Sequence, residues 1–564
     1  MIIDLVLFAT FIILLIFFAK LYSGFFTKVV TGEKNILTPV LSPLENLVYK
    51  FCNINGTEMS WKEYSFSLLI FNILGIVLIV IILLTQHILP LNQENFAALP
   101  FDLAFNTAVS FVTNTNWQNY SGETTMSYFS QMFALSVQNF LSASTGIAVA
   151  VALIRGITRK ESEVIGNFWV DLTRVTLFIL LPLSILFSIF LISQRVIQNI
   201  LPYVQTISLE GINQTIPMGP VASQEAIKLL GTNGGGFFNA NSSHPFENPT
   251  PLSNFIEAFS IFFLSTSLIF VFGNISKKYK DAYSILVAML ILFVLMLGAN
   301  YLSEKFGNPQ ITSIIGDSVM EGKEMRFGIA STSLFSTVTT AASCGAVNAM
   351  HDSLTPIAGM ITILQMMLGE IIIGGVGAGF YGMILYVILS VFIAGLMIGR
   401  TPKYMGKKIE APEMSFAVIA ILLPSICILA FSAITLMIPS ALESLSNPNS
   451  HGITQILYAF TSASANNGSA FAGLSGNTSY FNYALAFCMF VSRFGIIVLV
   501  LAIAGNLASK KIVPQDKGTL KSSGFMFIVL LICTILLTGA LTFFPSLVLG
   551  PIVDHFTMIQ IEQN

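Results

Sequence analysis

Four short stretches of small, uncharged residues could bind a dehydrated cation through their backbone oxygens. They are Thr113-Asn114-Thr115, Thr232-Asn233-Gly234, Ser343-Cys344-Gly345 and Asn466-Asn467-Gly468. Non-helical backbone survives at membrane depth only where protein buries it or water reaches it. Rings of carbonyl oxygens from four extended segments replace the water of a potassium ion in ion filters. Each stretch therefore predicts one quarter of a filter whose ligand is K⁺.

The four stretches recur as an internal repeat. We align them on Asn114, Gly234, Gly345 and Gly468, which lie roughly 120 residues apart along the chain. Glycine suits such a filter because inward-pointing carbonyls need backbone angles that side chains disfavour. Asn tolerates left-handed angles better than most residues. The alignment predicts four fused units around one axis, with an unequal first quarter.

Each stretch ends a short segment that cannot cross a bilayer and that fits a re-entrant pore helix. These segments are 101–118, 223–239, 331–348 and 454–470. About 20 apolar residues cross a bilayer, and ten runs approach or exceed that length. The runs are 2–21, 66–84, 127–154, 175–192, 255–272, 283–302, 356–398, 415–438, 483–508 and 525–544.

The fold predicted from these runs is an all-α polytopic membrane protein with about ten transmembrane helices. Of its 564 residues 54% are hydrophobic and only 10% are charged, against about 25% charged in soluble proteins. We expect four membrane–pore–membrane units around one pore, plus one extra helix at each end. The expected divisions are 1–22 (extra helix), 64–154, 172–273, 282–398 and 415–508 (repeats) and 524–544 (extra helix).

Charge predicts the orientation of the chain. Most of the 26 Lys and Arg residues fall in five clusters on alternate sides of the ten spans, and basic residues favour cytoplasmic loops. Both termini and the pore-helix loops are therefore predicted to lie outside. The first run lacks a basic flank and a cleavage site, so we interpret it as a retained span. A net charge of -2 argues against nucleic acid, and five scattered cysteines indicate neither disulfides nor zinc.

The chain carries no sequence for ATP hydrolysis. There is no Gly-x₄-Gly-Lys-Ser/Thr phosphate loop. Asp516-Lys517-Gly518-Thr519 superficially resembles the phosphorylated aspartate sequence of P-type pumps, but the residue order is wrong and its loop is too short for a nucleotide domain. We therefore predict a protein that is not an enzyme by itself.

With their flanking residues, the four stretches resemble the filter motifs of one family, the potassium-binding A subunit of the bacterial Kdp potassium-transporting ATPase. The resemblance covers essentially the whole chain. It implies a channel-like, non-catalytic subunit of the bacterial cell membrane that selects external K⁺ and passes it to a separate P-type ATPase catalytic subunit. It also implies small accessory membrane subunits, contact with lipid, and no organic cofactor. Within the resembling stretches we expect Gln118, Asn239 and Asn348 to support the filter.

Two charges and a group of glycines interrupt the apolar runs near the filter. Glu370 and Arg493 are ionisable residues at membrane depth, which usually mark a pathway. Arg493 follows the fourth filter stretch and could lie under the pore; the alternative is a structural salt bridge with Glu370. Gly374, Gly375 and Gly377 could open the helix into a gating loop, or could simply allow close helix packing.

Two further expectations remain open. A stand-alone potassium channel or an ion-coupled symporter of the same superfamily is the alternative function. The five histidines fall in or near outer loops without metal-ligand spacing, so they are predicted to be surface residues.

Overall fold

The computed structural model describes residues 1–316, 318–513 and 521–560 of a mainly helical chain. The stretch Asp516-Lys517-Gly518-Thr519, compared above with the aspartate sequence of P-type pumps, lies outside the described residues. Among the described residues, ten helices are long and apolar enough to cross a membrane. They are α1 (Ile2–Thr31), α2 (Trp61–Thr85), α4 (Ser130–Thr158), α5 (Phe168–Ser193), α7 (Pro251–Ser276), α8 (Tyr279–Phe306), α11 (Ala378–Ile398), α12 (Ala411–Leu436), α14 (Ser479–Ser509) and α15 (Phe525–Ile559).

Four shorter helices precede the four predicted filter stretches. They are α3 (Phe101–Val112), α6 (Val221–Leu230), α9 (Gly328–Ala341) and α13 (Asn449–Ala465). Each stands between two spans, giving the order span, pore helix, span four times, with α1 and α15 outside the series. The predicted all-α polytopic fold with about ten spans is thus confirmed.

The predicted span 356–398 is broken into two helices. One helix, α10 (Pro356–Met367), ends before Glu370, and α11 begins only at Ala378. Gly369 and Gly377 in the intervening segment have φ of 85° and 81°, angles that glycine adopts without a Cβ penalty. The predicted interruption of this run by glycines is confirmed.

The last span is longer than predicted. Helix α15 continues past residue 544 to Ile559, passing through π-helical geometry at Val548–Ile552. Pro545 and Pro551 lie inside it, although prolines usually end a helix. The added turns pack on the N-terminal part of α13, where a Cβ on Gly550 would lie 2.8 Å from Thr454 Oγ1.

The helix α14 joins the fourth unit to the first. It packs against α12 in its own unit and against α3 and α4 in the first unit. The extra helix α1 packs along α7, where the Phe11 ring lies 5.9 Å from Phe255. The four units therefore surround a common centre, with α1 on the outside of the second unit.

Basic residues gather at one end of the bundle. Strands β3 (Lys403–Tyr404) and β4 (Lys407–Lys408) form a hairpin there, and Lys407 Nζ donates to Gly156 O at 2.9 Å and to the Leu507 carbonyl. An ion pair between Lys510 and Glu413 at 2.6 Å closes the same end. The other hairpin, β1 (Val204–Ile207) with β2 (Asn213–Ile216), follows the far end of α5.

Candidate ion filter

All four pore helices end in the same turn. The residue at the turn is left-handed in each quarter, with φ of 65° at Asn114, 47° at Thr232, 51° at Ser343 and 59° at Asn466. The next N–H returns to a carbonyl inside the pore helix, as in Thr115 N to Ser110 O at 2.9 Å and Asn467 N to Ser462 O at 2.9 Å. The same bond joins Asn233 to Lys228 at 2.8 Å and Cys344 to Thr339 at 3.2 Å. The turns therefore match residue by residue.

This match corrects the predicted alignment of the first quarter. The residue two positions after each left-handed turn is Asn116, Gly234, Gly345 and Gly468. Asn114 is instead the counterpart of Thr232, so the predicted equivalence of Asn114 with Gly234 is wrong by two residues. Asn116, with φ of 55°, is the first-quarter counterpart of these glycines that the sequence analysis missed. Because the first quarter has no glycine here, the sequence alone allows either Asn114 or Asn116 to be aligned with the glycines of the other quarters.

The four stretches contact one another in a closed ring. A Cβ added to Gly234 would overlap the backbone nitrogen of Gly345, and one on Gly345 would lie 2.7 Å from the carbonyl carbon of Gly468. A Cβ on Gly468 would overlap the carbonyl oxygen of Thr115. On the remaining side, a Cβ on Gly235 would lie 3.0 Å from Asn116 O. The backbones meet in chain order, and at these contacts glycine leaves room for the next quarter.

Side-chain amides connect neighbouring quarters behind the ring. Asn114 Nδ2 donates to Thr232 O at 3.0 Å, and Asn233 Nδ2 donates to Asn114 Oδ1 at 2.6 Å. Asn466 Nδ2 donates to Thr115 Oγ1 at 3.0 Å, which joins the fourth quarter to the first. Buried polar groups that keep their partners hold one arrangement, because an unpaired one costs free energy.

Two predicted filter residues stay within their own quarter. Thr113 Oγ1 bonds the carbonyl of Val109 at 2.9 Å and the hydroxyl of Thr115 at 2.8 Å. Cys344 is a buried free thiol, and its carbonyl accepts a hydrogen bond from the Thr339 hydroxyl. Both residues therefore fix the turn that follows a pore helix.

The three predicted support residues lie in different surroundings. Gln118 exchanges two hydrogen bonds of 2.9 Å with the backbone of Gly236, so it joins the first and second quarters. Asn348 is buried and donates to Asn254 Oδ1 at 2.9 Å, on α7. Asn239 is exposed, and its backbone N–H donates to Glu123 Oε2 at 2.8 Å. The structure thus brings Gln118 to the ring but not Asn239.

The segment between α10 and α11 contacts the turns that follow the pore helices. Glu370 is 2% exposed, and its carboxylate accepts hydrogen bonds from the Ser343 hydroxyl and, at 2.7 Å, from Asn467 Nδ2. Val376 N donates to Thr232 Oγ1 at 2.9 Å. This segment therefore contacts the second, third and fourth quarters.

The predicted glycines of this segment lie where backbones approach closely. A Cβ on Gly374 would overlap Glu370 O, and one on Gly375 would lie 2.6 Å from Ser343 Cβ. A Cβ on Gly377 would overlap Gly146 O in α4. Close packing is thus part of their role, and gating stays a prediction.

Arg493 lies near the turns of the third and fourth quarters, and within the part of the chain that the structure describes it forms no ion pair with an acidic side chain. It lines a cavity of about 70 Å³ together with Ser343, Tyr381 and Asn466. Among the described residues no ion pair joins Arg493 to Glu370, so the alternative of a salt bridge between them is wrong. A Cβ on Gly146 would lie 3.2 Å from Arg493 Nη2, which places the guanidinium close to α4.

A buried ion cluster behind the second quarter was not predicted. Lys228, on α6, lies 2.7 Å from Glu225 and 2.7 Å from Glu247, and all three side chains are at most 1% exposed. The Glu225–Lys228 spacing is visible in the sequence as a pair three residues apart. Glu247 lies far from this pair in the sequence, and the loop that follows the second stretch brings it into contact with Lys228.

The prediction that the histidines are surface residues is wrong for His351. This side chain is 1% exposed, and its Nδ1 lies 2.7 Å from the hydroxyl of Tyr458 on α13. The turn before α10 folds onto the pore helix α13, a long-range contact that the local pattern does not contain.

Comparisons with known proteins support the resemblance that the filter stretches indicated. A family model described as the potassium-transporting ATPase A subunit matches residues 9–556. The potassium-transporting ATPase potassium-binding subunit of Serratia proteamaculans is 52% identical over 554 residues, which is 98% of each chain. The protein of that name from Rhodopseudomonas palustris is 53% identical over 95% of this chain and 94% of its own.

A solved structure shares the fold. The crystal structure of the potassium transporter TrkH from Vibrio parahaemolyticus matches with a TM-score of 0.52 and 15% identity, covering 87% of this chain and 96% of that one. At this identity the similarity concerns the architecture alone. The family match over nearly the whole chain goes further: this chain belongs to the family of potassium-transporting ATPase A subunits.

Proposed function

We propose that this chain is the potassium-binding, channel-like subunit of an ATP-driven potassium importer. The observation that carries the proposal is the closed ring in which Gly234, Gly345 and Gly468 each leave room for the next quarter, with Asn116 in the fourth place. Membership of the A subunit family, whose relatives are named potassium-binding subunits, supports the same ligand.

Potassium loses its water among backbone oxygens of the four turns. The residues proposed to bind it are Thr113, Asn114, Thr115, Asn116, Thr232, Asn233, Gly234, Ser343, Cys344, Gly345, Asn466, Asn467 and Gly468. Carbonyl oxygens that replace the hydration shell select the ion. The Glu370 carboxyl group beneath the ring accepts hydrogen bonds from Ser343 and Asn467, so it holds the third and fourth quarters together at the inner end.

Below the ring the ion meets a barrier and then an exit. The Arg493 guanidinium repels a free cation in the cavity under the filter, and the segment with Gly374, Gly375 and Gly377 acts as the gate there. The ion leaves toward a separate P-type ATPase catalytic subunit, which hydrolyses ATP. Small accessory membrane subunits complete the complex in the lipid of the bacterial cell membrane, with both termini of this chain outside.

The test of the filter is Gly345→Ser in the assembled complex. The added side chain would meet the backbone of Gly468 at 2.7 Å and Asn467 O at 2.8 Å, so the ring must widen. We expect a higher half-saturating K⁺ concentration and easier entry of rubidium or ammonium. Uptake kinetics equal to those of the wild type would contradict the carbonyl filter.

The stand-alone channel or symporter is tested by expression without partners. Cells lacking other potassium uptake should concentrate K⁺ only when the catalytic subunit is produced together with this chain. Concentrative uptake by this chain alone would refute the subunit assignment and support the alternative.

A further inference from the structure

A chain of buried hydrogen bonds runs from His351, in the turn before α10, through the fourth quarter to Glu370 beneath the filter. His351 Nδ1 lies 2.7 Å from Tyr458 OH, which lies 2.7 Å from Ser469 Oγ. Ser469 Oγ lies 2.5 Å from Asn467 Oδ1, and Asn467 Nδ2 lies 2.7 Å from Glu370 Oε1. All five side chains are at most 2% exposed, so water does not compete for these bonds.

The direction of every bond in this chain is fixed. Asn467 Oδ1 accepts the backbone N–H of Ser469 at 3.0 Å as well as its hydroxyl. Because the Ser469 hydroxyl proton is used there, its oxygen accepts from Tyr458. The Tyr458 oxygen must then accept from His351. Each donor thus points toward the filter, and the Asn467 amide, which does not relay protons, makes this a positioning chain and not a proton path.

The outer end of the chain is a neutral histidine. Burial lowers the pKa of His351 to about 4, and Nδ1 carries the proton that Tyr458 accepts. The turn around His351 is anchored, because Asp352 N donates to Phe471 O at 2.7 Å and the Tyr458 ring lies 4.7 Å from that of Phe471. The chain therefore keeps one hydrogen-bond pattern throughout the physiological pH range.

The other quarters have no such chain to the outer loops among the described residues. The counterparts of Asn467 are Thr115, Asn233 and Cys344. Thr115 and Asn233 bond within the ring or to α4, and Cys344 has a thiol in place of the amide. The fourth quarter is thus held from outside and from beneath at the same residue.

We propose that His351 and Tyr458 are positioning residues that set the potassium affinity and selectivity of the filter by holding Asn467. Asn467 stands between Asn466 and Gly468, two residues with positive φ. Fixing its side chain at both ends fixes the peptide planes whose oxygens face the ion. The inference rests on the proposed potassium filter and assigns part of its selectivity to side chains outside it.

The test is Tyr458→Phe in the assembled ATPase complex, which removes one hydroxyl and keeps the ring. We expect the half-saturating K⁺ concentration to rise about two- to tenfold, as for loss of one buried hydrogen bond. The maximal rate should stay within about twofold of the wild-type rate, and discrimination of K⁺ against Rb⁺ should fall. His351→Ala should act alike, and His351→Ala/Tyr458→Phe should be no worse than the stronger single variant, because both act through one chain.

The matched control is Tyr64→Phe. Tyr64 is equally buried, and its hydroxyl bonds Ala148 O at 3.1 Å and Asp171 Oδ2 at 3.0 Å, away from the filter. It should lower thermal stability without moving the potassium dependence.

Two outcomes would overturn the inference, and they differ in what else they contradict. If Tyr458→Phe only lowers stability, as Tyr64→Phe does, while Gly345→Ser weakens potassium binding, the positioning role is wrong and the filter stands. If neither Tyr458→Phe nor Gly345→Ser changes potassium dependence, the filter assignment fails as well.

Discussion

Gly468→Ala is the sharpest perturbation of the proposed filter. Gly468 has φ of 91°, and a Cβ there would overlap the carbonyl oxygen of Thr115 in the neighbouring quarter. A residue with a Cβ pays about 1–2 kcal/mol for a left-handed backbone. The overlap adds to this cost, because both partners are backbone and neither can rotate away. The turn must leave its present geometry, and with it the ring of carbonyls.

The expected effect follows from that cost. Since 1.4 kcal/mol corresponds to a factor of about ten in a binding constant, Gly468→Ala should raise the half-saturating K⁺ concentration at least about tenfold. The assay is potassium-stimulated ATP hydrolysis by the purified complex, with thermal unfolding measured on the same samples. An unchanged unfolding temperature would show that weaker potassium dependence comes from the filter and not from a loss of the fold.

The control is Gly298→Ala in the middle of α8. A Cβ there has nothing within 4 Å, and alanine favours a helix over glycine by about 1 kcal/mol. We expect unchanged potassium dependence and unchanged or higher stability. If Gly468→Ala stays within about twofold of this control in half-saturating K⁺, the reasoning that the ring sets affinity is refuted.

Two further predictions concern the ion pairs of His451 and the proposed orientation of the chain in the membrane. His451 lies 2.8 Å from Asp352 and 2.8 Å from Asp554, and hydrogen bonds to these carboxylates raise the pKa of His451 to about 9. Stabilisation of at most about 3 kcal/mol is therefore complete below about pH 6.5 and lost as pH rises through 9. Between pH 6 and 10 the thermal unfolding temperature should fall in the wild type and change less in His451→Gln. Parallel curves for the two proteins would contradict a stabilising role of these ion pairs. A cysteine placed at Gly211 should react with a membrane-impermeant reagent in intact cells and one at Lys278 should not, and the reverse pattern would invert the proposed orientation.

The spans and pore helices could be predicted because their signals are local. Apolar runs, their lengths and the polar stretches between them are properties of short windows. The glycines after Met367 predicted the break in the seventh run for the same reason. The end of α15 was missed because the helix continues through Pro545 and then through π-helical turns that contain Pro551. These turns pack on α13, and no window of sequence contains that packing.

The filter residues required more than a local pattern. The triplets suggested that Asn114 replaces a glycine, but the left-handed turn at Asn114 pairs it with Thr232. Which residue takes that turn depends on where the pore helix ends, and helix ends are set within a residue or two by capping contacts. The inward fold of His351 onto Tyr458 likewise joins residues far apart in sequence.

The missing glycine of the first quarter is explained by its neighbour. The second quarter has three glycines in succession, Gly234, Gly235 and Gly236, where the third and fourth quarters have one and the first has none. A Cβ on Gly235 would lie 3.2 Å from Asn116 Cβ and 3.0 Å from its carbonyl oxygen, so the space that a side chain there would need is occupied by Asn116. The first quarter has room for Asn116 because the facing residue of the second quarter, Gly235, has no side chain. In a ring of four identical subunits, asparagine in place of this glycine would occur in all four quarters. In a fused chain it can occur in one quarter alone, and a glycine in the neighbouring quarter can make room for it.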